Sequence, residues 1–237
     1  MIDRISPTLR PDRMPAGYQQ WRSLLFMHWS MPVEDLRPLV PKSLEIDLYE
    51  GIAYVGVVPF AMTRVRPRWC PEALGLNFLE TNVRTYVTYQ DRPGVYFFSL
   101  DAASRIGVGI ARAFWGLPYY YAKMDLKKVD QTIDYSSTRP NSGVCHESQC
   151  KVGERLGQLE PDSIEFFFME RYLLFLEQSG SVFIGQVHHT PYPVSHTEVS
   201  HLRDDLLEAA GCGYCKGLPE FAHFSTGVDV EIFNLEQ

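Results

Sequence analysis

Between Phe78 and Tyr89 the side chains alternate with a period of two, which makes this run a strand. Its two faces do not divide into a wet side and an apolar side. Glu80, Asn82, Arg84 and Tyr86 share one face; Thr81, Val83, Thr85 and Val87 share the other. A half-buried strand normally sets polar residues against strongly apolar ones. Here neither face is especially apolar, and two readings stay open. One is a solvated face bearing Glu, Asn and Arg. The other is a strand covered on both sides, whose polar row lines an internal pocket. The second needs a curled sheet with a further layer outside it.

The same period recurs along the chain. Tyr18 to Trp29 begins with helical spacing and finishes as strand, and the two cannot be separated from the pattern. Val33 to Val40 reads as a short helix between Pro32 and Pro41. Leu44, Ile46 and Leu48 alternate into a Glu50-Gly51 turn, and Ile52 to Val65 is a long strand in which Pro59 marks an edge or a bulge. Arg64 to Pro71 reads as a basic loop. Asp91-Arg92-Pro93-Gly94 reads as a hairpin connection into Val95–Asp101, and Ala102 to Trp115 as a helix. Strands follow over Thr132–Thr138, Val144–Val152, Leu173–Glu177, Val182–His189 and Phe221–Phe233, with turns at Lys128–Gln131, Arg139–Gly143 and Ser179-Gly180. Pro161-Asp162-Ser163 caps a helix containing Ile164, Phe167 and Phe168. His201 to Ala210 reads as an amphipathic helix closed by Gly211. About ten strands with three or four helices predict a β-rich α+β domain, antiparallel and closed or half-closed. Residues 1–17 read as a loose lead-in and 18–237 as a single domain.

Composition narrows the function. The 237 residues carry a formal charge of −7, which argues against a general nucleic-acid binder. Aromatic residues, at 13%, suit a strand-rich protein with an aromatic interior. No apolar run reaches membrane-spanning length, and the N-terminus has no apolar signal core. Five cysteines without a signal peptide point to reduced thiols in the cytoplasm. Cys212-Gly-Tyr-Cys215 has CxxC spacing but no second pair to complete a zinc set. No metal or cofactor is expected. The expected partner is a small molecule, with neither nucleic acid nor membrane, and a homo-oligomer is left open.

The stretch from Ala111 to Met124 reads as a helix end, a tight Gly116-Leu117-Pro118 turn and a strand. Tyr119, Tyr121 and Lys123 fall on one face of that strand. Lys123 has two readings, a cavity amine or a strand-end lysine with its head in water. Arg112 is either a carboxylate ligand or a cation complementing a helix C-terminus. Arg171 falls on the opposite strand face from its neighbours, and a structural ion pair suits Glu170 or Arg171. His188 and His189 point to opposite faces, so one is interior.

Several motifs together resemble an uncharacterised bacterial family similar to the acetoacetate-decarboxylase-like superfamily. They are Trp21-x-x-Leu-Leu-Phe-x-His28-Trp29, Glu80-Thr-Asn82-Val-Arg84-Thr-Tyr86, Tyr96-Phe-Phe-Ser-Leu-Asp101, Ala111-Arg112 with Leu117-Pro118-Tyr119, Glu170-Arg171-Tyr172 and Val187-His188-His189. The resemblance covers roughly residues 18–233. It implies an antiparallel β-barrel or cone with a central cavity and a few peripheral helices. Decarboxylases of that superfamily carry Gly-x-Pro-Lys-Lys, whose first lysine forms a Schiff base. Here the matching run is Gly116-Leu117-Pro118-Tyr119-Tyr120, and a phenol cannot make an imine. The resemblance therefore implies a small organic acid or carbonyl compound in the cavity, handled by a lyase or hydratase without the usual lysine, or by a binding module that lost catalysis. Candidate catalytic residues are Glu80, Tyr119 and Lys123. Candidate ligand-binding residues are Asn82, Arg84, Arg112, Tyr121, Glu170, Arg171 and His189.

Overall fold

A computed structural model of the chain describes residues 2–109 and 116–237. The strands in them are β1 (Gly17–Met31), β2 (Glu45–Ile46), β3 (Ala53–Pro67), β4 (Leu76–Tyr89), β5 (Arg92–Ala102), β6 (Tyr119–Tyr121), β7 (Lys123–Val129), β8 (Thr132–Thr138), β9 (Cys145–Arg155), β10 (Leu173–Gln178), β11 (Ser181–His188), β12 (Val194–Asp204) and β13 (Phe221–Ile232). They form one sheet in the order β1-β3-β4-β5-β10-β11-β13-β12-β9-β8-β7, and β13 also pairs with β1. That last pairing closes seven strands into a barrel and removes its open edges. Neighbours run antiparallel, except that β5 lies parallel to β10 and to β6.

Of the other six strands, β2 pairs with β4 and β6 with β5, while β12, β9, β8 and β7 leave the barrel at β13 and fold back over its outer wall. This explains the two covered faces of β4. Its polar row, with Tyr86, points inward beside Leu24 and Phe26 of β1 and Val58 and Phe60 of β3. Val83 and Val87 point outward into a second core with Leu25, Met27, Val55, Val57, Ile133, Cys150 and Val199. Each large side chain buried in these two layers contributes about 1.5–3 kcal/mol of transfer free energy.

Local chemistry sets the barrel's corners. Gln90 and Asp91 both take positive φ, at 52° and 59°, the mirror-image turn that matches strand twist. The β4–β5 hairpin thus turns earlier than the Asp91–Gly94 spacing predicts, and Pro93 and Gly94 join β5. Gly94 is required there: a Cβ would lie 2.6 Å from the carbonyl oxygen of Leu173, where β10 docks against β5. Pro59 sits where the β1–β3 register slips between Arg22 and Met27, so the missing N–H falls at a bulge, one of the two expected settings.

Other expectations are corrected. Tyr18–Trp29 is strand throughout, because β1 is hydrogen-bonded on both sides, to β3 and β13. Leu44–Leu48 shrinks to the two residues of β2, and part of the Arg64–Pro71 loop belongs to β3. His201, Leu202 and Arg203 are not helical: they pair with Gln149, Ser148 and Glu147 of β9, and only Leu206–Ala209 forms a helix. Ladder hydrogen bonds outweigh a weak amphipathic period. The helix over 102–115 is described only at 105–109. The lead-in, expected to be loose, is held by Arg4 on Asp47, Arg10 on Glu231 and Arg13 on Glu236. No helix among the described residues is long and apolar enough to cross a membrane.

Candidate functional site

The barrel encloses a cavity of about 100 Å³. That space is enough for a small ligand. Its walls are apolar, from Leu24, Phe26, Val58, Phe60, Val95 and Val187 among others. The polar groups come chiefly from β4 and from the segment before β10.

Glu80, Asn82 and Arg84 all line the cavity, as their shared face predicts. Four residues of strand separate Glu80 from Arg84, roughly 13 Å at about 3.3 Å per residue. The two side chains therefore mark opposite ends of the cavity. No ion pair joins them. Its partner is Tyr119, whose hydroxyl donates to Oε2 at 2.9 Å. Tyr119 is delivered by the turn before it. Gly116 takes φ +62°, the left-handed position expected of it, and the Leu100 N–H donates to the Pro118 carbonyl at 3.0 Å. β6 then continues parallel to β5, with Tyr119 beside Leu100.

Burial raises Glu80 from 4.5 to about 8; the Tyr119 hydrogen bond opposes that rise and nearby Asp101 adds to it. The carboxyl is mostly protonated at neutral pH. Oε2 accepts from Tyr119, and Oε1 has no protein partner among the described residues. Burial and the adjoining Glu80 also hold the Tyr119 phenol well above 10. Both groups of the pair are therefore neutral donors near pH 7.

The other end is closed by the helix Ile164–Met169. Ser163 Oγ caps it by accepting the Phe166 N–H at 3.1 Å, and Phe166, Phe167, Phe168 and Met169 are buried. Such a cap contributes about 1 kcal/mol. Next in the chain, Glu170, Arg171 and Tyr172 turn into the barrel floor. Arg171 donates from Nε to the Phe167 carbonyl at 2.6 Å and from Nη1 to Asp47 Oδ2 at 2.7 Å. Asp47 in turn holds Arg4 through both oxygens, at 2.6 and 2.7 Å. Burial lowers Arg171 to about 10 despite the Asp47 charge. Arg171 thus makes a structural ion pair, the role expected for it or Glu170, and its partner is Asp47.

Glu170 stands behind the cavity wall. It accepts the Tyr172 hydroxyl at 2.6 Å and the Tyr192 N–H at 3.1 Å, and burial raises its pKa. Tyr172 and Tyr192 themselves line the cavity. His189 is buried one layer back, stacked on Tyr172 with centroids 4.3 Å apart. Its Nδ1–H donates to the Thr190 carbonyl at 2.8 Å, and burial lowers it to about 4, so it is a neutral imidazole. His188 is half-exposed near Glu231.

Two candidates lie elsewhere. Lys123 is exposed on β7 and does not line the cavity. The strand face shared by Tyr119, Tyr121 and Lys123 is broken at Ala122, where the chain leaves β5 and begins pairing with β8. Tyr121 accordingly faces a separate surface depression, under the Arg105 guanidinium at 4.1 Å. Arg112 lies outside the described residues. The CxxC cysteines are buried thiols, Cys212 pushed up to about 12 and Cys215 to about 11 by burial. No group of three or more potential metal ligands occurs among the described residues.

Sequence reasoning missed the roles of Asp47, Tyr86 and Tyr192. Tyr86 was on the correct face by period alone. Nothing local marks Asp47, which becomes a counter-ion only when residues 4 and 171 reach it.

Solved proteins of the same fold include the enduracididine biosynthesis enzyme MppR complexed with pyruvate, with TM-score 0.64 and 11% identity over 95% of this chain and 91% of that one. An acetoacetate decarboxylase-like enzyme from Sphingomonas wittichii RW1 gives TM-score 0.64 at 13% identity, covering 94% and 93%. The acetoacetate decarboxylase of Legionella pneumophila gives 0.62 at 12% identity, covering 96% and 92%. These likenesses establish the acetoacetate-decarboxylase-like fold expected from the motifs. The uncharacterized protein YqjF of Bacillus subtilis (strain 168) is 36% identical over 230 residues, 96% of this chain and 94% of the relative. Residues 18–229 match DUF2071, described as an uncharacterized conserved protein. With that match spanning all but the ends of the barrel and the whole of its outer sheet, the chain belongs to the DUF2071 family.

Proposed function

We propose that the barrel binds a small carbonyl compound or organic acid and moves a proton on it without forming an imine. The observation that carries this reading is the Glu80–Tyr119 pair: a neutral buried carboxyl, pKa about 8, opening into a cavity of ligand size. A general acid or base works best with its pKa near the operating pH. Glu80 meets that condition chiefly through burial. Its proton, on Oε1, would pass to a carbonyl oxygen, and the carboxylate left behind, steadied by the Tyr119 hydroxyl, would take the proton from the carbon next to the carbonyl to give the enol. Among the described lining residues there is no lysine, which supports chemistry without covalent capture of the carbonyl by an amine. The pyruvate bound by MppR, a protein of this fold, supports a carbonyl compound of about this size. All five cysteines are unpaired, which supports a reducing cytoplasmic setting.

The test is proton exchange. Small oxo acids, ketones and aldehydes are incubated with the protein in deuterated buffer, and loss of the C–H signal next to the carbonyl is followed by NMR. Wild type is expected to accelerate exchange in at least one compound, and Glu80→Gln to abolish it. Binding without exchange in any of them would favour the second reading, a sensing module that kept the barrel. The observation on that side is the tyrosine standing where the superfamily's lysine would be.

A further inference from the structure

We propose that Arg84 forms an anion subsite at the closed end of the cavity, taking the carboxylate of a short monocarboxylic acid. The proposal rests on the reading that the cavity holds a small ligand, but not on any chemistry at Glu80.

Arg84 is 9% exposed and lines the cavity from β4. Of its nitrogens, Nη2 is engaged, by the Phe168 carbonyl at 3.1 Å and the Tyr86 hydroxyl at 3.4 Å. Nε is enclosed with no acceptor. No carboxylate lies within ion-pair distance of the guanidinium among the described residues. The contrast with two other buried arginines is direct: Arg171 has Asp47 at 2.7 Å, and Arg139 has Asp101 at 2.7 Å. Arg84 instead stands 5.3 Å from the ring centre of Phe26 and 5.7 Å from that of Tyr86. Aromatic faces offset only part of the cost of a buried charge. An uncompensated cation beside an empty space of ligand size calls for an anion from outside the chain.

The guanidinium is also held in place. The Phe168 carbonyl can only accept, so Tyr86 donates to it at 3.2 Å and receives from Arg84. His28 then donates Nε2–H to the same hydroxyl at 2.6 Å, its ring stacked on Phe168 at 3.8 Å. Held on several sides, Arg84 loses little freedom when a ligand arrives. A planar fork of donors matches a carboxylate. The apolar walls and the small volume restrict the remainder to a short chain. One charge is expected, because the far end of the cavity presents the neutral Glu80–Tyr119 pair rather than a second cation.

The experiment is calorimetric titration of the full chain with acetate and propionate against acetamide and propionamide, at neutral pH. The acids are expected to bind about 30-fold more tightly than the isosteric amides, as suits a charge-assisted pair. Arg84→Met is expected to lose that preference while unfolding at an equal or higher temperature, since it removes an unpaired buried charge. Arg84→Lys keeps the charge without the fork and is expected to bind acetate about tenfold more weakly than wild type. Glu80→Gln is expected to keep acetate binding, so loss of proton exchange with retained acetate binding would separate the two claims. Equal binding of acids and amides overturns the subsite. So does wild-type acetate affinity in Arg84→Lys and Arg84→Met alike.

Discussion

The hydroxyl of Tyr119 donates to Oε2 of Glu80 at 2.9 Å, across 39 positions of sequence, inside a closed barrel. Tyr119 follows the Gly116-Leu117-Pro118 turn, whose sequence resembles the decarboxylase motif with its lysines replaced, and its phenol engages Glu80. The pair is neutral near pH 7, and its chemistry differs accordingly from amine catalysis.

Glu80 should make stability pH-dependent in a defined sense. Its native pKa is about 8 against 4.5 in the reference state, so the folded protein holds a proton that the unfolded chain releases. The resulting stability is fully present below about pH 4.5 and is lost as pH rises toward 8, at up to ~1.4 kcal/mol per unit. Glu80→Gln removes this term. Denaturant unfolding from about pH 5 to about pH 8 is expected to show the variant gaining on wild type as pH rises. Parallel profiles would contradict the burial of an ionisable carboxyl here.

Tyr119→Phe should move Glu80 further up. The phenol hydrogen bond opposes the effect of burial, and its loss is expected to raise the carboxyl by about one unit, as for a hydrogen bond of roughly 1.5 kcal/mol to a charged acceptor. Carboxyl-carbon NMR titration reads this directly. An unchanged or lowered value would show that Tyr119 does not stabilise the carboxylate.

Asp47→Ala should be severe. It strips the counter-ion from the buried Arg171 and frees Arg4. Breaking a buried pair from one side costs about 3–5 kcal/mol. Urea unfolding is expected to show that loss, with Asp47→Asn milder because its amide oxygen still accepts. A loss under about 1 kcal/mol would mean that Arg171 finds water.

Lys123→Ala should be silent. The residue is exposed on β7, away from the cavity, and stability should change by no more than about 0.5 kcal/mol. Borohydride reduction with small keto acids should leave no lysine adduct. A stoichiometric adduct that vanishes in Lys123→Ala would return imine chemistry to this barrel.

Much of the architecture was legible because its signals are local. Alternation named most strands, Ser179-Gly180 set a hairpin, and Ser163 capped its helix. The polar row on β4 was legible for the same reason. The errors fall where pairing partners decide. His201–Arg203 carry a helical spacing that β9 overrides. Lys123 shares a period with Tyr119 only if the strand continues, and Ala122 ends it.

By itself the sequence determined which groups share a face of β4, and that Tyr119, unable to form an imine, follows the Gly116-Leu117-Pro118 turn. Both follow from side-chain identity and a period of two. Tertiary structure alone decided what those groups are. Glu80 is an acid with a pKa about 8 because a closed barrel removes it from water. Among the described residues Arg84 has no counter-ion, whereas Arg171 is neutralised by Asp47, which also holds Arg4. Burial and long-range pairing leave no mark on a local pattern, yet they set the energy of every charge in the cavity.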